Sequence, residues 1–176
     1  MVNDKTPEQM AVIESKRSEW EPRGSFVHNA LELFLTTGDP GDLGEYGAWI
    51  TPLVNHLMWR NYRAIACEHR MVDTRYSIAG SFDALLEHKE TGQLVLADLK
   101  TLSHPHSSDR DVSKQLGGYL NLMDQCHKDV AGKVTECVGI FARPGKTTFQ
   151  PPVPASKCIE NYLAARSAFL SRQPRW

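Results

Sequence analysis

The chain has 176 residues, 41% of them hydrophobic and 23% charged, which suits one globular domain with a sizeable core and excludes a disordered or fibrous chain. A formal net charge of −1 gives none of the basic excess common in nucleic-acid binders, though it leaves room for a cleft that concentrates cations locally. No apolar run is long enough to span a membrane, and the polar start MVNDKTPEQM lacks the layout of a secretory leader; no membrane partner and a cytoplasmic location are expected.

In chain order, Thr6 as a cap and Pro7 in the first turn predict a helix over residues 7–20, broken by Glu21-Pro22-Arg23-Gly24. Val27, Leu31, Phe34 and Leu35 share one face of a second helix over 25–36. Gly38-Asp39-Pro40-Gly41-Asp42 reads as a loop. A third helix fits 46–60 on Trp49, Ile50, Leu53, Leu57 and Met58, with Pro52 imposing a late start or a kink.

From Tyr62 the periodicity shortens. Segments 65–72, 76–87 and 93–101 read as an antiparallel meander, with Lys89-Glu90-Thr91-Gly92 as a hairpin turn. Leu94-Val95-Leu96-Ala97-Asp98-Leu99 is nearly all apolar, so the third strand should be buried on both faces. A polar loop over 103–109 leads into a helix over 109–128, whose apolar positions are Val112, Leu116, Tyr119, Leu120 and Met123. A strand over 134–142, a short fifth over 147–150, a stiff proline segment over 151–154 and an amphipathic helix over 155–170 complete the chain. The result is a mixed α/β fold ordered α-α-α-β-β-β-α-β-(β)-α, its sheet of about four to five strands flanked by helices. One domain is expected over 1–176, with a helical extension over 1–23, a core over 24–150 and a C-terminal helix over 151–176.

The chemistry centres on Gly80-Ser81-Phe82-Asp83 and Asp98-Leu99-Lys100. Residues two apart on a strand point the same way, so Asp98 and Lys100 share a face. A hairpin turning at Thr91-Gly92 sets Asp83 across from them. Two carboxylates and an ammonium at one buried spot need compensation. A hard divalent cation supplies it, and so does a plain salt bridge; spacing alone leaves both open.

The set Gly80, Asp83, Asp98, Lys100, Gln115 and Tyr119 resembles the PD-(D/E)XK nuclease superfamily, and within it the RecB-like exonucleases. Val95-Leu96-Ala97-Asp98-Leu99-Lys100-Thr101 looks like the family's D-x-K strand, Gln115-Leu116-Gly117-Gly118-Tyr119 its Q-x-x-x-Y helix motif, and Gly24-Ser25-Phe26-Val27-His28 its G-x-x-x-H motif. The resemblance implies a restriction-endonuclease-like α-β-β-β-α-β core. It implies Mg²⁺ or Mn²⁺ held by Asp83, Asp98 and the backbone carbonyl of Leu99, with His28 as a further ligand and Lys100 as the catalytic lysine. Gln115 and Tyr119 would position the active site or the nucleic-acid backbone. Glu68, one strand earlier, matches an acidic position near the metals; the bare pattern reads equally as a solvated strand residue.

Arg110 and Lys114 border the site and are candidates for phosphate contact. Arg63, Arg70 and Arg75 either line a groove or coat the sheet, and His104 and His106 lack a metal-ligand spacing. Cys67, Cys126, Cys137 and Cys158 contain no C-x-x-C pair, so reduced and mostly buried thiols are expected. Iron–sulfur members of the family carry a cysteine before the histidine motif and a tight C-terminal cluster; neither pattern occurs here, and no iron–sulfur cluster is expected.

The expected function is a metal-dependent deoxyribonuclease, exonuclease-like, in DNA recombination, repair or phage DNA processing. It would act on single strands or duplex ends, alone, as a homo-oligomer, or beside a recombination protein. The alternatives are a catalytically silent nucleic-acid-binding or interaction module on the same fold, and a metal-dependent hydrolase of another phosphoester.

Overall fold

The computed structural model describes residues 6–172. The outer ends of the expected domain, including the first five residues of the segment read for a leader, lie outside the described residues. Twelve elements occur: helices α1 (Pro7–Ser15), α2 (Arg17–Thr37) and α3 (Gly47–Val54), strands β1 (Tyr62–Asp73), β2 (Ile78–His88) and β3 (Leu94–Thr101), helices α4 (Ser113–Cys126) and α5 (Lys128–Ala131), strands β4 (Val134–Arg143), β5 (Lys146–Phe149) and β6 (Val153–Pro154), and helix α6 (Ala155–Ser171). Short 3₁₀ turns at Gly44–Tyr46 and Leu57–Arg60 flank α3. Among the described residues, no helix is long and apolar enough to cross a membrane.

The protein is a mixed α/β fold built on a six-stranded mixed sheet ordered β1-β2-β3-β4-β5, with β6 also on β4. β1, β2 and β3 form the antiparallel meander, and β4 pairs parallel to β3 after the α4 crossover. Parallel neighbours need such a crossover, which places a helix on the sheet face. β3 is therefore central, and Val95, Leu96, Ala97, Asp98 and Leu99 are all buried. Leu96 packs with Leu116, Leu120, Met123, Phe141 and Cys158 on the α4–α6 side. Val95, Ala97 and Leu99 pack with Val27, Leu31, Ile50 and Leu53 on the α2–α3 side.

Three boundaries differ from the sequence reading. The break expected at Glu21–Gly24 falls at Lys16, and α2 runs through Pro22 and Gly24. Pro22 lies in the second turn and removes one backbone bond there. Continuing the helix sends Arg23, Val27, Ala30 and Leu31 into burial, which offsets the propensity cost of about 3 kcal/mol for proline and about 1 for glycine. The single helix expected over 46–60 breaks after α3. Pro52 frees the carbonyl of Ala48, four residues back, and the Gly145 N–H takes it at 2.8 Å, tying the β4–β5 turn to α3. α4 starts at Ser113 rather than at 109, where the Asp111 carboxylate accepts the Ser113 N–H at 2.9 Å.

Glycines 117 and 118 make the α4–α6 contact possible. A Cβ on Gly117 would lie 1.9 Å from the Cys158 carbonyl oxygen, and one on Gly118 would lie 3.3 Å from the Tyr162 ring.

Candidate metal centre

The site lies where the β2–β3 ladder opens. Regular pairing runs from Glu87↔Leu94 to Ala84↔Ala97 and stops before Asp83. There the Asp83 Oδ2 carboxylate oxygen accepts the Leu99 N–H, replacing a ladder bond with a side-chain bond. β1 is distorted beside it. Ala64 and Ala66 are two apart yet pack on opposite sides of the sheet, because a register shift separates them. Ala66 and Met71 are five apart yet pack on the same side. Alternation is reset between them at Glu68, a non-glycine residue with φ of 45°. Phe82 and Leu85 share a side in the same way, which puts an irregularity opposite, at Asp83.

α2 supplies the third wall. Trp20, Gly24, His28 and Glu32 recur every four residues and form one stripe along a cleft of about 630 Å³. Glu68 and Arg70 of β1, Leu99, Lys100 and Thr101 of β3, and Arg110 complete its lining. A Cβ on Gly24 would meet Thr101 Oγ1 at 3.7 Å, an ordinary contact, so glycine is not sterically required there.

His28 Nδ1 lies 3.1 Å from Asp83 Oδ1 and 3.4 Å from Glu68 Oε1. One donor atom from each of the three residues fits within 4.8 Å of the others. Burial opposes protonation of His28 and is the largest single influence; hydrogen bonds and charge from Asp83 and Glu68 together outweigh it and raise the imidazole to about 9. A proton thus bridges the two carboxylates at the point where a cation fits. Two carboxylate oxygens and an imidazole nitrogen suit Mn²⁺ or Mg²⁺ better than a thiolate-seeking ion.

Asp98 stands outside this group of three. It is buried, and its Oδ2 lies 2.7 Å from Lys100 Nζ. The contact is an ion pair, and apart from Lys100, Oδ2 has no hydrogen-bond donor among the described residues. Burial pushes the Asp98 carboxyl above the usual carboxylate range; Lys100 opposes this and the Asp83 charge reinforces it.

On α4, the Gln115 side-chain amide donates to the Tyr119 hydroxyl. Burial raises Tyr119 to about 12, reinforced by the charges of Asp98, Asp83 and Glu68. The phenol therefore stays protonated close to all three acids. Gly80 gives the Tyr119 ring its place: a Cβ there would meet the ring at 3.1 Å and Leu122 at 3.1 Å.

The sequence-expected ligands thus divide. His28, Asp83 and Glu68 come together, while Asp98 is engaged with Lys100 and Leu99 contributes its amide to Asp83. Arg110 lines the cleft and Lys114 does not. Arg70 lines it too, whereas Arg63 pairs with Glu87 and Arg75 with Asp73. His104 and His106 contact each other in the loop after β3. Of the four free thiols, Cys137 and Cys158 are buried, Cys67 is half-buried and Cys126 is exposed. Trp20, Asn29 and Glu32 are lining residues that the sequence reading missed; their four-residue spacing from Gly24, Ser25 and His28 was the available signal.

No family model matches the chain, and no curated protein matches it. It is similar to a solved structure described as "Crystal structure of SSO0001", at 15% identity and a TM-score of 0.43, over 92% of this chain and 72% of that one.

Proposed function

We propose that this chain is a metal-dependent nuclease of the PD-(D/E)XK type, RecB-like in its branch, which hydrolyses DNA phosphodiester bonds. The observation that carries the reading is the convergence of His28, Glu68 and Asp83 within 4.8 Å on a cleft that Lys100 also lines. These three residues would hold Mg²⁺ or Mn²⁺, with Asp98 and the Leu99 carbonyl as further oxygen donors. Bound there, such an ion supplies a water of lowered pKa and polarises the phosphoryl oxygen.

The chain's own groups do the rest. Asp83 grips the Leu99 amide, so ligand and strand are positioned together. Lys100 presents an ammonium to the cleft, where it orients the attacking water and stabilises charge developing on the phosphate. Asp98 holds that ammonium in place. Tyr119 keeps its proton and offers a donor, with Gln115 fixing the hydroxyl. Arg70 and Arg110 supply cationic contacts for the nucleic-acid backbone. The protein would work in the cytoplasm, alone, as a homo-oligomer or beside a recombination protein, in recombination, repair or phage DNA processing.

The test is cleavage of labelled single- and double-stranded DNA with Mg²⁺ or Mn²⁺, against EDTA. Metal-dependent cleavage that Lys100→Ala abolishes supports the reading. The net charge of −1 favours the second reading, a silent nucleic-acid-binding or interaction module. Wild-type protein that binds DNA and never cuts it selects that reading. Competition by nucleotides selects a hydrolase of another phosphoester.

A further inference from the structure

Two imidazoles meet away from the cluster of three. His69 lies on β1 and His127 at the C-terminal end of α4, and their Nε2 atoms are 2.9 Å apart. The rings are tilted by 60° with centroids 4.9 Å apart, so the nitrogens converge. His69 is held against the Phe82 ring at a centroid distance of 5.6 Å. The His127 backbone is fixed by its N–H on the Met123 carbonyl at 2.6 Å. Neither imidazole has a carboxylate at ion-pair distance among the described residues.

A neutral pair can share one N–H···N bond. The same convergence also presents two nitrogen ligands to one point. Zinc–imidazole bonds of about 2.0–2.1 Å at tetrahedral angles set the two nitrogens about 3.3 Å apart. That is a widening of less than about half an ångström, within reach of a small rotation of the exposed His127 ring.

We propose that His69 and His127 bind a divalent ion of the zinc class, with water completing the shell, and that this ion clamps β1 to the end of α4. The ligand chemistry separates this site from the oxygen-rich cluster: an imidazole pair selects zinc-like ions, and carboxylates favour magnesium and manganese. The clamp would tie the strand bearing Glu68, one residue before His69, to the helix bearing Gln115 and Tyr119.

Zinc chloride titrated calorimetrically into the full chain tests this, using wild type, His127→Ala, His69→Gln and Asp83→Asn. His127→Ala and His69→Gln should each lose one zinc equivalent or bind it at least about tenfold more weakly, since losing a direct ligand costs no less than losing a supporting one. The rise in thermal midpoint with zinc should shrink in both, and Asp83→Asn should keep the equivalent. His127 is exposed, so its alanine variant should fold, as circular dichroism will report. Zinc uptake by His127→Ala at wild-type stoichiometry and affinity overturns the proposal. So does loss of all zinc binding in Asp83→Asn, where both imidazoles remain.

Discussion

Raising the pH of the metal-free protein strips the proton that His28 holds between Asp83 and Glu68, and the site sets the cost. The imidazole moves from an ordinary 6.5 to about 9 on folding. At about 1.36 kcal/mol per unit the ceiling is about 3 kcal/mol. The His28 side chain is 26% exposed, and screening brings a realistic figure nearer 2 kcal/mol. The folded value exceeds the unfolded one, so this stability is fully present below pH 6.5 and lost as the pH rises through 9. Asp98, raised by burial to about 6 and lowered least of all by the His28 charge, loses its share of stability by about pH 6, at the lower edge of the range tested. The difference between wild type and His28→Ala therefore isolates the histidine. Urea unfolding in EDTA from pH 6 to pH 10 should show that difference shrinking by about 2 kcal/mol. Parallel stability curves for the two proteins would refute the reasoning.

Manganese should reverse the trend: ligation displaces the His28 proton, so the gain in thermal midpoint should grow from pH 6 to pH 8 and vanish in Asp83→Asn, as differential scanning fluorimetry will show. Lys100→Ala should cut DNA at least about 100-fold more slowly, the scale expected when one group that stabilises transition-state charge is removed, and should also lose some stability because buried Asp98 loses its partner, which circular dichroism will separate from loss of fold. Gly117→Ala should destabilise by at least about 1–3 kcal/mol, because its Cβ strikes backbone rather than a side chain able to move. Gly24→Ala, with ordinary contact at 3.7 Å, should be neutral or stabilising by up to about 1 kcal/mol, and chemical denaturation separates the two glycines.

Periodicity made the meander, the central strand and the C-terminal helix legible, because each buries a repeating face. Proline made one boundary misleading. Pro22 looks like a break by propensity, yet tertiary burial carries α2 through it; Pro52 suggested a late start or a kink, and Gly145 takes up the carbonyl it releases inside α3. The pairing of Asp98 with Lys100 followed from strand alternation. The closeness of Glu68 to His28 and Asp83 did not, because alternation fails at Glu68 itself. A register shift and a left-handed residue are tertiary events that no period-two pattern encodes. The glycines at 117 and 118 looked like motif spacers, and their reason lies in α6, about forty residues downstream in sequence.

Glu68 bears two demands at one position. Its backbone sits in a conformation that costs a residue with a Cβ about 1 kcal/mol more than glycine, and its carboxylate is one of two that grip His28. A library of this protein selected only for thermal tolerance should therefore drift toward glycine or asparagine at 68, and the survivors should be sturdier and poorer at taking up manganese. Selection for metal uptake should push the same codon back. Function and durability compete at a single residue, and the outcome at 68 would show which of the two a given lineage has been held to.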